Sequence, residues 1–242
     1  EVLPPDSLSA KNRDDMYALL CGQFEGVTRA HFEADLAEKN RVVLLRSDAG
    51  AALRGFSTLH VSRRSAGGEE LGVVYSGDTV VDARGGMGSS LSRIWIGAVN
   101  SVAREMGLDR LVWLLLTSGY RTYRFLPMYW LDFHPRYDVL APEGIRDLMS
   151  ELARQRFGDR FDEFAGVVRF EHPQVLKKEL RGIPLHRIAD PHVAFFATAN
   201  PGHEAGDELV CLTELAESNL TPAGVRMWKA GERLFGQVPQ GG

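Results

Sequence analysis

The nine residues from Ala83 to Leu91, ARGGMGSSL, place three glycines and two serines between an apolar run and a helical pattern. Backbone N–H groups at a helix N-terminus bind phosphate through hydrogen bonds and the helix dipole, and glycine lets the phosphate approach closely. The segment therefore predicts a phosphate-binding turn, with an ordinary glycine turn as the alternative. Neither common phosphate motif fits, because Leu91 replaces the third glycine of a dinucleotide fingerprint and the P-loop lysine is missing.

The segment resembles the signature of the GNAT superfamily of N-acetyltransferases, Gln/Arg-x-x-Gly-x-Gly/Ala at the start of the helix after the fourth strand. Gly86 and Gly88 take the two small positions, and GMGSSL is similar to that family's GIGSALL. Ala83 stands where the family has its basic residue. The resemblance implies that the donor's pyrophosphate binds at Arg84, Gly85, Gly86, Met87, Gly88 and Ser89.

The stretch after this helix extends the resemblance. LVWLLLTSGYRTYRFLPMYWLDF is similar to the family's order of a buried strand, a short helix with a tyrosine and a last strand, although Pro127 replaces a usual glycine. The resemblance covers about Asp14 to Phe133 and implies that Tyr123 protonates the leaving thiolate. The alternative is a packed tyrosine whose hydroxyl binds a backbone group.

The resemblance also implies a wedge between the fourth and fifth strands that holds pantetheine. Backbone amides near Val80 and Val81 would polarise the thioester carbonyl. Gly77 inside the fourth strand predicts a β-bulge that helps the strands part, with a loop glycine as the alternative. Asp78 beside it is a candidate base, and His60 on the preceding strand is a rival that would act through water.

Two further polar sets are candidates for binding the acceptor. The first set is Tyr120, Arg121 and Arg124, whose alternative role is a solvated helix face. The second set is His192, His203 and Asp207. Together with Glu208, which is read as an acid in the first turn of a helix, the second set matches no strong metal-ligand spacing. No metal is therefore expected.

Composition limits the class of protein. The chain has 242 residues, of which 44% are apolar and 25% charged, so it is long enough to bury a core. Its net charge of −4 argues against a general nucleic-acid binder, since phosphate binding relies on clustered lysine and arginine. Two distant cysteines, and the lack of a signal-peptide pattern or a membrane-spanning apolar run, favour a cytoplasmic protein without a membrane span.

Hydrophobic periodicity predicts the elements that must position these residues. Strands are predicted at 41–46, 53–63, 71–81 and 110–116, in MYWLDF and in AGVVRF. Helices are predicted at 14–20, 29–38, 91–106, 118–125, 145–152, 175–180 and 207–216, and from Pro222 toward Phe235.

These observations predict an α/β fold with a GNAT-like mixed, splayed central sheet flanked by helices and a mostly helical C-terminal extension. Residues 1–137 are predicted to bind the acyl thioester, and residues 138–242 to pack on them and contribute to the acceptor site.

The functional hypothesis is transfer of an acyl group from acyl-CoA, or from the pantetheine of an acyl-carrier protein, to an amine of a small-molecule acceptor. The apolar stretches of the chain leave room for an acceptor or an acyl chain larger than acetyl. In this respect the chain is similar to the long-chain N-acyl amino acid synthases. The alternatives are a non-catalytic acyl-thioester-binding module and a thioester decarboxylase or hydrolase on the same fold.

The variant Gly86→Asp tests the predicted phosphate turn, because an added carboxylate repels a pyrophosphate. At about a hundred times its Kd, acetyl-CoA, a long-chain acyl-CoA or free CoA should stabilise the wild-type fold by about 2.7 kcal/mol. We expect the variant to lose this gain in a thermal-shift measurement. Equal shifts in both proteins would contradict the predicted turn.

Overall fold

The computed structural model describes residues 1–47, 52–66, 68–82, 88–107 and 110–235, with the backbone alone at 88, 89, 103, 104 and 235. The strands are β1 Val2–Leu3, β2 Phe24–Glu25, β3 Arg41–Arg46, β4 Leu53–Ala66, β5 Glu69–Val81, β6 Leu111–Thr117, β7 Phe133–His134, β8 Phe161–Asp162, β9 Val167–Val168, β10 Val175–Leu176 and β11 Glu208–Glu214. The helices are α1 Ala10–Gln23, α2 Arg29–Ala37, α3 Gly88–Met106, α4 Tyr120–Tyr123, α5 Phe125–Tyr129, α6 Glu143–Phe157, α7 Lys178–Arg181, α8 Leu185–Ile188, α9 Pro191–Ala199 and α10 Pro222–Phe235.

A mixed, mainly antiparallel sheet forms the centre of the molecule. Its strand order is β1-β3-β4-β5-β6-β11-β9-β8, with β7 also paired to β11. Within the described ranges the parallel pairing is confined to β5 and β6, and α3 lies in the crossover that a parallel pair requires. The predicted α/β class, with helices flanking a mixed sheet and a mostly helical C-terminal extension, is confirmed.

Alternation of side chains along the strands divides the core between two faces of the sheet. On face A, Val73 and Leu114 pack under α6, and Phe56 packs under α1 and α2. On face B, Trp113 and Cys211 belong to the cluster that includes α3, α5, α9 and α10. Every residue of β6 is buried, which confirms its prediction as a central strand.

The region predicted as a helix at 207–216 is instead strand β11, so that prediction is wrong. Leu209 and Cys211 point to face B, whereas Val210 and Leu212 point to face A. A strand that is buried on both faces is apolar throughout, and its period does not distinguish it from a buried helix. Glu208 therefore begins a strand rather than a helix.

The predicted strand MYWLDF is also largely wrong. Pro127 is the third residue of α5. Proline is tolerated there because the N–H groups of the first helical turn have no hydrogen-bond acceptor within the helix. Trp130 forms only an isolated bridge to Leu220, and ladder pairing is confined to β7. The predicted helix at 175–180 divides into β10 and α7, and the one at 118–125 into α4 and α5.

The remaining predicted elements are confirmed, and the chain beyond residue 137 joins the same sheet. β11 pairs with β6 from Leu209 opposite Thr117 to Glu214 opposite Val112. Helix α10 packs on α3, and its hydroxyl cap is in place, because Thr221 Oγ1 accepts a hydrogen bond from Gly224 N at 3.1 Å. The division of the chain at residue 137 stays a prediction.

The variant Gly231→Ala tests the contact between α3 and α10. A Cβ at residue 231 would lie 2.8 Å from Gly97 N and 3.1 Å from Arg93 O, which are backbone atoms of α3. The helices must then move apart, and such overpacking lowers the free energy of unfolding by about 1–3 kcal/mol. Urea unfolding measures the loss.

Gly22→Ala is the matched control, since a Cβ at this position in α1 meets nothing within 4 Å. We expect it to be neutral or to stabilise the helix by up to about 1 kcal/mol. If both variants change stability equally, the close α3–α10 contact does not have the role described.

Candidate active site

The two parallel strands part at one end of the sheet. β5 pairs with β6 from Gly72 opposite Leu111 to Ser76 opposite Leu115. β5 then continues to Val81 and pairs with β4 on its other side. In the described part of the chain, the edge of β5 that faces β6 has no strand partner beyond Ser76. No strand in the described residues therefore takes up the backbone N–H and C=O groups on this edge.

A β-bulge lies where the strands part, as the sequence predicted. On β4, Ser57 pairs with Thr79 of β5, and Leu59 pairs with Ser76. The one β4 residue between Ser57 and Leu59 therefore lies opposite two residues of β5, Gly77 and Asp78. The extra residue changes which face the following side chains occupy. It brings Asp78 to face A, the face that carries Tyr75 and, beyond the bulge, Val80.

The absence of a side chain at Gly77 makes room for two others. A Cβ there would lie 2.5 Å from Lys39 Cε and 2.7 Å from Thr58 Oγ1. Lys39 follows α2, and its Nζ donates hydrogen bonds to the carbonyl oxygen of Asp35 at 3.1 Å and to the Asp35 carboxylate. The Lys39 side chain is completely buried, whereas Asp35 keeps 34% of its side chain exposed.

Three carboxyl groups and one ammonium group gather at this bulge, and we call them the acidic recess. Its members are Asp35, Lys39, Asp78 and Glu208. Glu208 comes from the start of β11, where the alternation of the strand puts it on face A with Val210. Asp78 and Glu208 are half-buried, so the recess is surrounded by protein but still reached by solvent.

The recess raises the pKa values of two of its carboxyl groups, Asp78 and Glu208. Burial, reinforced by the charge of Asp35 and opposed by Lys39, raises the pKa of Asp78 to about 7. Burial, followed by the charges of Asp78 and Asp35, raises the pKa of Glu208 to about 8, against the influence of Lys39. Carboxyl groups with such pKa values take up and return protons at neutral pH, as a general base must.

Tyr75 separates the recess from a small basic groove. Its ring centre lies 5.5 Å from Lys39 Nζ and 4.7 Å from Arg156 Cζ. The groove beside it is lined by His60, Arg64 and Arg156. His60 Nδ1 is 2.8 Å from the carbonyl oxygen of Glu38, and burial lowers the pKa of the imidazole. His60 thus shares face A with Asp78 but is held by a backbone group.

Tyr123 lies in the core of face B. Its hydroxyl donates a hydrogen bond to the carbonyl oxygen of Pro135 at 2.8 Å, and its ring packs on Phe133 and Phe196. Burial raises the pKa of its hydroxyl far above the ordinary value. This geometry corresponds to the alternative stated for Tyr123, a packed tyrosine that binds a backbone group.

The first acceptor candidates, Tyr120, Arg121 and Arg124, hold elements together. Tyr120 is buried, Arg121 donates to the carbonyl oxygen of Leu180 at 3.0 Å, and Arg124 pairs with Asp190 at 3.0 Å. Asp190 is in turn the N-cap of α9. The positive charge of Arg124 is therefore already paired.

The second set of acceptor candidates is spread over several contacts. His192 packs on Phe133 and Tyr137, and burial lowers the pKa of its imidazole. His203 Nδ1 lies 2.9 Å from Asn200 O, and Asp207 pairs with Arg169 at 2.9 Å. The structure does not gather these residues in the recess, and it is their neighbour Glu208 that reaches it.

The predicted donor site is described in part. Arg84, Gly85, Gly86 and Met87 lie outside the described residues, and Gly88 and Ser89 are the first two residues of α3. The side chain of Val80 is completely buried, and Val81 O accepts a hydrogen bond from Gln23 Nε2. The role of these groups in binding a thioester stays a prediction.

Sequence reasoning missed Asp35, Lys39 and Thr58, and assigned Glu208 to a helix. Asp35 and Lys39 have the ordinary spacing of a helical ion pair, and nothing local marks the lysine as buried, because the β5 residues that cover it are far away in the chain. The sequence carries no usable signal for Glu208, because β11 is apolar on both faces; only in the folded strand does Glu208 share a face with Val210 and Leu212.

Two absences hold for the described residues. They contain no group of three or more histidine, cysteine, aspartate or glutamate side chains that could hold a metal ion. No helix in that part of the chain has the length and apolar character to cross a bilayer.

Similarity of this chain to known proteins is found among solved structures. Neither a protein-family model nor a curated protein matches the chain. Among solved structures, the chain is similar to a conserved protein of unknown function from Enterococcus faecalis V583, a probable N-acyltransferase, with a TM-score of 0.40 and 12% identity over 88% of this chain. The chain spans 65% of the length of that protein.

The variant Glu208→Gln tests the raised pKa values through the stability of the fold. An unfolded glutamate titrates at about 4.3. Between that pH and about 8 the folded protein binds more protons than the unfolded chain, so this group makes stability fall as pH rises. We expect the free energy of unfolding of Glu208→Gln to fall less steeply with rising pH than that of the wild type. Urea unfolding at a series of pH values measures this.

Glu70→Gln, which alters an exposed glutamate of β5, should keep the wild-type pH dependence. A Glu208→Gln protein whose stability changes with pH as in the wild type would show that Glu208 does not titrate as described.

Proposed function

We propose that the protein transfers an acyl group from an acyl thioester to the amine of a small-molecule acceptor. The donor is acyl-CoA or the acylated pantetheine of a carrier protein. The observation that carries the proposal is the wedge, where β5 leaves β6 at a bulge that turns Asp78 toward Glu208. A pantetheine arm is an extended chain with two amides, and the unpartnered edge of β5 offers it the hydrogen bonds that a neighbouring strand would supply.

The reaction needs an oriented thioester, donors for its carbonyl oxygen and a neutral amine. Backbone N–H groups between Gly77 and Val81 are the proposed donors, because this edge of β5 lacks a strand partner in the described residues. Helix α3 begins at Gly88 soon after β5 ends, and its N-terminal dipole favours the negative charge of the donor's pyrophosphate.

Asp78 is the proposed general base, with Glu208 as its partner. The carboxylate takes a proton from the acceptor's ammonium group, and the nitrogen lone pair attacks the thioester carbonyl carbon. The carbon–sulfur bond then breaks, and its electron pair leaves with sulfur. The nitrogen's second proton passes to the carboxyl pair, one proton is returned to the thiolate, and the other goes to solvent. Tyr123 is given no step, because its hydroxyl is bonded to Pro135.

The variant Asp78→Asn should lower kcat/KM by about 10²–10⁴-fold, the usual contribution of a general base. In the wild type, kcat/KM should rise with pH through about 7, because the ionised carboxylate is the active form. Mass spectrometry of reactions that contain acetyl-CoA or a long-chain acyl-CoA and a panel of amines detects the acyl mass added to an acceptor. Asp159→Asn, at an exposed residue after α6, is the matched control and should leave the rate unchanged.

Other outcomes separate the alternative functions. Free acid without an acylated amine would identify a hydrolase, and loss of carbon dioxide from the donor a decarboxylase. Binding of a thioester without any product would identify a binding module. If no thioester binds, from CoA or from a carrier protein, the proposal is wrong.

A further inference from the structure

The acidic recess has more carboxyl groups than its lysine can pair with. Lys39 is bonded to Asp35, which leaves Asp78 and Glu208. Within the described residues, neither of these two carboxyl groups forms a hydrogen bond or an ion pair with another side chain. Carboxylates that are half-buried and unpaired are unfavourable, and a cation would relieve the repulsion between them.

Thr58 gives a second and independent indication of a ligand. Its residue is 1% exposed, and its Oγ1 makes no hydrogen bond in the described part of the chain. The oxygen lies at the bulge, 2.7 Å from the point where a Cβ at Gly77 would stand. A buried hydroxyl without a partner is uncommon, because its desolvation is then uncompensated. An ammonium group held at Asp78 would supply the missing donor.

We infer that the acceptor is a compact diamine, held by its two ammonium groups at Asp78 and at Glu208. This inference rests on the proposed acyl transfer, whose acceptor it specifies. The ammonium at Asp78, with Thr58 as an additional acceptor of its hydrogen bonds, is the one that loses a proton and is acylated. The other pairs with Glu208 and anchors the molecule. Two positive charges neutralise the two unpaired carboxylates, whereas an acceptor with its own carboxylate is repelled.

Binding is linked to protonation of the recess. The charged and titratable groups that face it are Asp35, Lys39, His60, Tyr75, Asp78, Arg156 and Glu208. The pKa values of about 7 and about 8 leave both unpaired carboxyl groups partly protonated at neutral pH. A dication favours their ionised forms, so its binding releases protons and becomes tighter as pH rises from about 6 to about 8.

Isothermal titration calorimetry tests the inference on the whole chain without a donor. The probes are putrescine, butylamine and γ-aminobutyrate, which have the same carbon count but carry two, one and no net positive charges. We expect putrescine to bind at least about tenfold more tightly than butylamine, γ-aminobutyrate to bind no better than butylamine, and putrescine to release protons when buffers of different ionisation enthalpy are compared.

Variants locate the binding. Glu208→Gln and, independently, Asp78→Asn should each weaken putrescine binding by about tenfold and reduce proton release, while the exposed control Glu70→Gln should bind as the wild type does. Circular dichroism shows which variants are folded. If only one of the two carboxyl variants folds, its affinity for putrescine still tests the inference. Equal affinity for putrescine and butylamine, or wild-type affinity in a folded carboxyl variant, would overturn the inference.

Failure of the inference and failure of acyl transfer are distinguishable. If putrescine binds as expected but no thioester binds and no acylated product forms, the diamine site stands and acyl transfer does not. If acylated monoamines form with no preference for diamines, acyl transfer stands and the diamine site is wrong.

Discussion

The candidate site depends on one irregularity in hydrogen bonding, the extra residue in β5. Tyr75 and Val80 lie five positions apart and still point to the same face, which is possible only because the bulge at Gly77–Asp78 shifts the alternation. Val80 thereby remains in the core under α1 and α2, and Asp78 is directed to the face where Glu208 arrives from β11. The same bulge stands where β5 leaves β6, so the wedge and its carboxyl groups have a common origin.

Lys39 connects this irregularity to the helical layer. A buried ammonium group is unfavourable unless it is paired, and Lys39 is paired by the carboxylate and carbonyl oxygen of Asp35 and lies over the ring of Tyr75. Its side chain fits because residue 77 has no Cβ. The end of α2 and the bulge in β5 are therefore fitted to each other, and the lysine limits the charge of the recess without cancelling it.

The sequence was sufficient to predict an element where one local pattern determines its structure. RVVLLR became β3 at the predicted bounds, the periodic run after Leu91 became α3, and the glycine of YSGDT marked the bulge. It was insufficient where tertiary contacts decide. β11 is buried on both faces, so its sequence does not alternate between polar and apolar residues. Tyr123 lies in the expected short helix, but its side chain faces the core. Lys39 follows Asp35 by four residues, but nothing local marks it as buried, because Tyr75 and Gly77 approach it only in the folded chain.

The position of β11 also bears on how the chain is made by the ribosome. β6 is apolar along its length, and its second edge is covered by β11, which is translated long afterwards. Until those residues emerge, the nascent chain exposes an unpaired hydrophobic strand edge, the kind of surface at which chains aggregate and which chaperones protect. The central sheet therefore stays incomplete until β11 has been translated, well after β5 and β6.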